Sequence, residues 1–143
     1  KMVKGRHPIA AYEFLGPKLE GKDVILIDDM ISSGKSILEI ASLLKKRGAG
    51  KIFICTTFGL FTEGMEKFDE AYQNGIFDKL LTTNLVYQTP ELLSKPYYIT
   101  CDMSKYIALI IDTLNHDMSV SHLLNPADRI KRCVNNYMAQ YEK

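Results

Sequence analysis

Short apolar runs alternate with amphipathic helical stretches along this chain, and this alternation limits the folds open to it. We predict strands at residues 24–27, 52–58, 79–83 and 97–101, and helices at about 34–47, 62–75, 104–117 and 126–141. Strands separated by helices of this length form a parallel sheet, so the predicted fold class is α/β, with the sheet flanked by helices. Ligands bind such sheets at the carboxyl ends of the strands. Thr82, Thr83 and Asn84 end the third strand there, where they either cap a turn or contact a substrate or a neighbouring subunit.

Composition excludes two classes of partner. The 143-residue chain carries a formal net charge of +1, which provides no basic surface for nucleic acid and no polybasic segment for a membrane. The longest strictly apolar runs, such as residues 107–111, are far shorter than a membrane span. We therefore expect neither a nucleic-acid nor a membrane partner. The first residue is a lysine, so we consider that the chain is either complete or one part of a longer protein.

Residues 24–36, VILIDDMISSGKS, end in the Gly-Lys-Ser that also closes a nucleotide-binding P-loop. A P-loop needs a second glycine five residues before that Gly-Lys-Ser glycine. Asp29 occupies the position, and its carboxylate would clash with the close approach of backbone to phosphate that glycine permits. The segment is therefore interpreted as a phosphate site of another kind. The apolar run before Asp28 is typical of a strand buried on both faces.

The acids and the small residues of this segment suit opposite ends of one sugar phosphate. Backbone N–H groups at a helix start, together with hydroxyls, bind a phosphate dianion. Two carboxylates instead accept hydrogen bonds from vicinal sugar hydroxyls, or bind magnesium that those hydroxyls also contact. A strand-to-helix turn without any ligand is the structural alternative. We place the sugar at Asp28 and Asp29, and the phosphate at Ser32, Ser33, Gly34, Lys35 and Ser36.

Four segments in order resemble one enzyme family. VILIDDMISSGKS resembles the phosphoribosyl-pyrophosphate motif of the phosphoribosyltransferase fold. Together with TTFGLFTEG (56–64), LLTTNLV (80–86) and MSVSHLLNP (118–126), it resembles the carboxyl-terminal half of ribose-phosphate pyrophosphokinases, the phosphoribosyl-pyrophosphate synthetases. The resemblance implies an arm or flexible-loop region at 1–23, a phosphoribosyltransferase-type domain at 24–125, and a helical extension at 126–143.

The resemblance implies a reaction and its components. The family transfers pyrophosphate from ATP to ribose 5-phosphate, giving phosphoribosyl pyrophosphate and AMP, and needs magnesium. By the resemblance, Asp28 and Asp29 contact the ribose hydroxyls and the associated metal, and residues 32–36 hold the 5-phosphate. A cytoplasmic homo-oligomer is expected. The family also uses an amino-terminal domain and a basic loop that this chain lacks, so we expect the isolated chain to be inactive. Lys4 and Arg6 are the nearest candidates for the catalytic cations.

The sequence departs from the family pattern at three positions. Ser32 stands where family loops commonly carry an acid, Lys35 stands where a small residue is common, and Phe58 replaces a frequent histidine. Ser32 disfavours one alternative, a phosphoribosyltransferase that joins a base to the ribose, because that acid is often the general base. A second alternative is a non-catalytic regulatory homologue that keeps the fold and binds a sugar phosphate or the active subunit.

Overall fold

The computed structural model describes residue 16 and residues 18–141 of the chain. It divides into two compact units, the first ending at Cys101 and the second beginning at Asp102. The first unit contains β1 (Val24–Ile31), α1 (Lys35–Lys46), β2 (Ile52–Gly59), α2 (Glu66–Gln73), β3 (Lys79–Thr83), α3 (Pro90–Leu93) and β4 (Tyr98–Cys101). The second unit contains α4 (Ser104–Asn115), α5 (Ser121–Leu124) and α6 (Ala127–Tyr141).

The four strands form one sheet in the order β1-β2-β3-β4, and every neighbouring pair is parallel. This confirms the predicted α/β class, with four parallel strands and flanking helices. The register aligns side chains in rows across the sheet. One row consists of Leu26, Ile54, Leu80 and Tyr98, and the next row toward the carboxyl ends consists of Asp28, Thr56, Thr82 and Thr100.

The core of the first unit lies between one face of the sheet and the helices α1 and α2. Helix α1 contributes Ile37, Ala41 and Leu44, which recur at helical spacing on one face. The strands contribute Ile52, Ile54 and Leu80, all fully buried. Helix α2 contributes Phe68, whose ring meets Phe77 edge to face at a centroid distance of 6.4 Å. The carboxyl end of β1 and the start of α1 therefore adjoin a well-packed core.

The opposite face of the first strand carries exposed aliphatic side chains. Ile25 and Ile27 are 63% and 82% exposed, so the prediction that β1 is buried on both faces is wrong. The reason is that the core of the first unit forms on the face of the sheet that carries Leu26 and Ile54, and Ile25 and Ile27 lie on the other face. The prediction that the strand ends at Ile27 is also wrong, because β1 continues through both acids to Ile31.

A polar cluster joins helix α2 to the segment before β4. Lys95 Nζ donates to Asp69 Oδ2 at 2.6 Å, and the Tyr97 hydroxyl donates to Asp69 Oδ1 at 2.7 Å. Burial alone would raise the pKa of Asp69, but these two hydrogen bonds outweigh it and hold the pKa below its ordinary value. The same hydrogen bond to Asp69 raises the pKa of Lys95. Both shifts favour the charged pair, so the cluster stabilises the fold.

The second unit has its own small set of contacts. The Tyr106 hydroxyl donates to the backbone oxygen of Leu123 at 2.9 Å, and Arg129 lies over the Tyr106 ring at 5.1 Å from its centroid. Asn125 Oδ1 accepts from the N–H of Ala127, the first residue of α6, at 3.1 Å, so its side chain satisfies one of the free N–H groups at the helix start. Within residues 18–141, none of the helices combines the length and apolar character needed to cross a bilayer.

Candidate functional site

A depression of about 130 Å³ lies where β1 ends and α1 begins. It brings together most of the residues that the sequence placed at a sugar-phosphate site. Its lining combines a carboxylate, hydroxyl groups and backbone polar groups with apolar side chains. Small polar ligands are bound by such combinations of donors, acceptors and apolar surface. The lining residues are Asp28, Met30, Ile31, Ser32, Ser33, Gly34, Ser36 and Ile37.

The first turn of α1 borders this depression, since Ser36 and Ile37 are among the lining residues. The hydrogen-bond ladder of α1 begins with Leu38 N–H, which donates to the oxygen of Gly34 at 3.1 Å. No side chain caps the helix start, and the Lys35 N–H lies 3.5 Å from the Ser33 hydroxyl, at the limit of a hydrogen bond. The N–H groups ahead of Leu38 are therefore directed out of the helix, and the helix dipole favours an anion there.

Gly34 fixes the path of the turn. Its φ of 79° lies in the left-handed region that residues with a Cβ rarely adopt. A Cβ on Gly34 would lie 2.2 Å from Phe68 Cζ, so the backbone also approaches a buried ring too closely for a side chain. Both constraints select glycine here. The turn sits directly on α2, because Phe68 is a fully buried residue of that helix.

The segment that follows β2 is hydrogen-bonded to the end of β1 and to the start of the turn. Leu60 N–H donates to the oxygen of Ile31 at 2.8 Å, and Thr62 N–H donates to the oxygen of Ser32 at 3.0 Å. The hydroxyls of Ser32 and Thr62 are 3.3 Å apart. The predicted helix start at Thr62 is wrong, since α2 begins at Glu66. Thr62 instead extends the pairing of β1 with β2 into the turn, a role that local sequence patterns do not signal.

Two predicted site residues lie outside the depression. Strand alternation places Asp29 on the face of β1 opposite to Asp28, although its N–H donates to Asp28 Oδ1 at 2.9 Å. Lys35 lines a separate depression of about 300 Å³ between α1 and α2, together with Lys67 and Glu70. The candidate cations Lys4 and Arg6 lie outside the described residues.

A row of threonines continues from Asp28 across the sheet. Thr56, Thr82 and Thr100 follow Asp28 in register, all on the same face. The Thr82 hydroxyl contacts the Tyr98 hydroxyl, and the Thr100 hydroxyl donates to Gln88 Oε1 at 2.9 Å. Gln88 Nε2 in turn donates to the Tyr98 hydroxyl at 2.7 Å. Of the residues the sequence brought forward, Thr82 and Thr83 belong to this network, Thr83 through its backbone oxygen, which accepts from Gln88 Nε2 at 3.2 Å. The connection of Thr82 to Asp28 becomes visible only in the strand register.

The carboxylates of β1 can be compared with the ligand sets that metal ions use. Across residues 18–141, the structure contains no cluster of three or more His, Cys, Asp or Glu side chains that could hold an ion alone. Magnesium, however, usually keeps several waters and is bound through one or two carboxylates plus the phosphates of a substrate. Asp28, which lines the depression, has the chemistry of one such carboxylate ligand, whereas Asp29 lies on the opposite face of β1.

Comparisons with known proteins identify relatives of this chain. The ribose-phosphate pyrophosphokinase of Vibrio parahaemolyticus is 26% identical over 107 residues, which are 75% of this chain and 33% of that protein. The enzyme of the same name from Prochlorococcus marinus is 33% identical over 94 residues, which are 62% of this chain and 28% of the relative. A chloroplastic ribose-phosphate pyrophosphokinase 2 of Oryza sativa is 31% identical over 105 residues, or 73% of this chain and 25% of the relative.

The fold also has a solved counterpart. The crystal structure of phosphoribosylpyrophosphate synthetase from Mycobacterium smegmatis aligns with a TM-score of 0.62 at 22% identity, covering 71% of this chain and 33% of that one. The chain thus spans about a third of the length of the first relatives it matches. Residues 3–125 match the sequence model of the phosphoribosyl synthetase-associated domain. The chain therefore belongs to the family described by that domain.

Proposed function

We propose that this chain is the ribose-phosphate-binding part of a ribose-phosphate pyrophosphokinase, which transfers pyrophosphate from ATP to ribose 5-phosphate and releases phosphoribosyl pyrophosphate and AMP. The observation that carries the proposal is the depression that joins Asp28 to the uncapped first turn of α1. An anion site and a carboxylate in one depression suit the two ends of a pentose phosphate. The relatives named ribose-phosphate pyrophosphokinase are about three times as long as the matched segment, which supports one part of a larger enzyme. We assign the chain to the carboxyl-terminal part, of phosphoribosyltransferase type, on the resemblance of residues 24–36, 56–64, 80–86 and 118–126.

The phosphate end is assigned to residues 32–36 together with the N–H group of Ile37. The N–H groups of Ser36 and Ile37 and the Ser33 and Ser36 hydroxyls donate to the phosphate oxygens, and the helix dipole adds to their attraction. Each hydrogen bond to a charged group contributes roughly 1.5–3 kcal/mol, whereas the dipole contributes about 0.3–1 kcal/mol. The hydrogen bonds therefore provide most of the affinity. Lys35 adds long-range attraction from outside the depression.

The ribose end is assigned to β1. The Asp28 carboxylate accepts hydrogen bonds from the ribose hydroxyls, and Asp29 follows it on the same strand. Magnesium supplies positive charge that neutralises the phosphates when it is bound with the substrates. In phosphoryl-group transfer the protein mainly positions the reactants and stabilises charge, and the fixed turn at Gly34 suits that task.

The remaining parts of the reaction are assigned to other segments. None of the described residues that line the depression is a lysine or arginine. The cations that act on ATP are therefore assigned to the basic loop of the family, with Lys4 and Arg6 as its nearest members here.

The exposed aliphatic face at Ile25 and Ile27 supports the proposal that further protein covers this side of the sheet, because parallel sheets are normally covered on both faces. An amino-terminal domain, a homo-oligomer and a cytoplasmic location complete the proposal.

A second candidate is a non-catalytic homologue that binds a sugar phosphate. The lining without a lysine or arginine among the described residues favours it, since such a depression can bind the ester without any transfer. Joining a base to the ribose is less well supported, because the Ser32 hydroxyl contacts Thr62 and is a poor general base.

The test combines binding with turnover in the protein that carries this chain. The protein is titrated with ribose 5-phosphate by calorimetry, and AMP release is then followed with ATP and magnesium. Binding together with AMP release supports the pyrophosphokinase. Binding without AMP release supports the non-catalytic homologue. Failure to bind ribose 5-phosphate contradicts the proposed site.

A further inference from the structure

The Thr56 side chain is buried, and its hydroxyl has no hydrogen-bond partner among residues 18–141. Only 7% of the residue is exposed, so water does not readily replace the missing partner. Buried hydroxyls in folded proteins are nearly always paired, and an unpaired one lowers the stability of the fold. Valine has nearly the same shape and suits a strand at least as well. A residue with a purely structural role would not need the hydroxyl.

The strand register places Thr56 beside the candidate site. Thr56 pairs with Asp28 of β1, and neighbouring strands lie about 4.8 Å apart. The two side chains leave the same face of the sheet, the one on which Ile54 is buried. On its other side Thr56 pairs with Thr82, whose hydroxyl already contacts Tyr98. The unpaired hydroxyl therefore lies between a satisfied network and a carboxylate.

Asp28 has the capacity to accept this hydrogen bond. Its Oδ1 accepts from the Asp29 N–H at 2.9 Å, and a carboxylate offers about four acceptor positions in total. Asp28 is exposed at the edge of the depression, so its side chain can turn when a ligand enters. A hydroxyl donor at a fixed position on the neighbouring strand would hold the Asp28 carboxylate in one orientation.

We propose that Thr56 is a positioning residue for the sugar end of the site. Its hydroxyl donates to the Asp28 carboxylate when ribose 5-phosphate is bound, and this hydrogen bond directs the carboxylate toward the ribose hydroxyls. The inference rests on the proposed function of the depression. It explains why a polar side chain occupies a buried strand position where residues 18–141 offer its hydroxyl no partner.

The test compares two substitutions at Thr56 with a matched control. Thr56→Val removes the hydroxyl and keeps the shape, Thr56→Ser keeps the hydroxyl, and Thr113→Val removes a hydroxyl from a buried threonine of α4. Losing a hydrogen bond to a charged group should weaken ribose 5-phosphate binding by Thr56→Val about tenfold or more. Thr56→Ser should bind within about twofold of the unsubstituted protein, and Thr113→Val should bind unchanged. The thermal unfolding temperature of Thr56→Val should be equal or higher.

The outcomes separate this inference from the proposed function. If the unsubstituted protein binds ribose 5-phosphate and Thr56→Val binds equally well, the inference is overturned and the proposed function stands. If the unsubstituted protein does not bind, both are overturned. A lower unfolding temperature of Thr56→Val would also overturn the inference, because the hydroxyl would then have a structural partner.

Discussion

Gly34 and Phe68 are packed so closely that a Cβ at position 34 would lie 2.2 Å from the Cζ atom of the ring. This contact links the candidate phosphate turn to a fully buried residue of α2. The turn is therefore held in place by its contact with the core and by the backbone hydrogen bond from Thr62 to Ser32. A rigid turn keeps its N–H groups in place without a ligand, which lowers the entropic cost of binding.

Gly34→Ala should destabilise the protein through two separate effects. The left-handed φ of 79° disfavours any residue with a Cβ by about 1–2 kcal/mol, and the clash with Phe68 should add about 1–3 kcal/mol. Gly75→Ala is the matched control, since Gly75 has a φ of 67° and open space around a Cβ. The free energy of unfolding is measured by urea denaturation. Equal losses for the two variants would contradict the role of the Phe68 contact.

The predicted phosphate turn could be read from the sequence because it depends on neighbouring residues. Serines and a glycine at the start of a helix, directly after a strand, constrain the local backbone enough to indicate an anion site. The contact of Gly34 with Phe68 and the pairing of Ser32 with Thr62 link residues about 30 positions apart. Such contacts depend on how the elements pack, so local patterns do not reveal them.

Ser36→Ala should weaken the binding of ribose 5-phosphate without a large change in stability. Ser36 lines the depression and is exposed, so its hydroxyl is free to donate to a phosphate oxygen. Loss of one such hydrogen bond should raise the dissociation constant by roughly tenfold. Ser42→Ala serves as the control, because Ser42 is in the same helix but lines the separate depression beside Lys35. Calorimetry that finds both variants equally affected would argue against the assignment.

The two neighbouring acids should differ in their contributions. Asp28 lines the depression, whereas Asp29 leaves the opposite face of β1. Asp28→Asn should therefore weaken ribose 5-phosphate binding in magnesium by about tenfold or more, and Asp29→Asn should weaken it less. Titrations at several magnesium concentrations measure both effects. A larger loss for Asp29→Asn would mean that the ligand lies on the other face of the strand.

Asp69→Asn should change how stability depends on pH. The pKa of Asp69 is lowered in the fold, so its ionised form stabilises the protein above about pH 4, the unfolded value, and this stabilisation disappears as the pH falls through the folded pKa. The variant should lose about 1–3 kcal/mol at pH 7 and show a flatter acid limb. Glu63→Gln, at an exposed pair with Lys67, should change little. Parallel acid limbs for Asp69→Asn and the unsubstituted protein would contradict this.

The burial of the first strand could not be predicted from its composition. Four consecutive apolar residues indicate a strand that is buried on both faces. The same run is compatible with an edge strand whose second face would be covered only by further protein. Ile25 and Ile27 illustrate this, because they are exposed while Leu26 between them packs against the core.

The threonine row beside Asp28 could not be predicted from local sequence either. Its members are separated by 18 or more residues, and only the parallel register brings them beside Asp28.

The central claim is that one pentose phosphate spans the depression from Asp28 to the first turn of α1. A crystal structure of the protein soaked with ribose 5-phosphate tests it most directly. We predict density for the phosphate within hydrogen-bond distance of the Ser36 and Ile37 N–H groups, and ribose hydroxyls against the Asp28 carboxylate. Density for the ester at another place on the protein, or a phosphate with no contact to residues 32–37, would contradict the account.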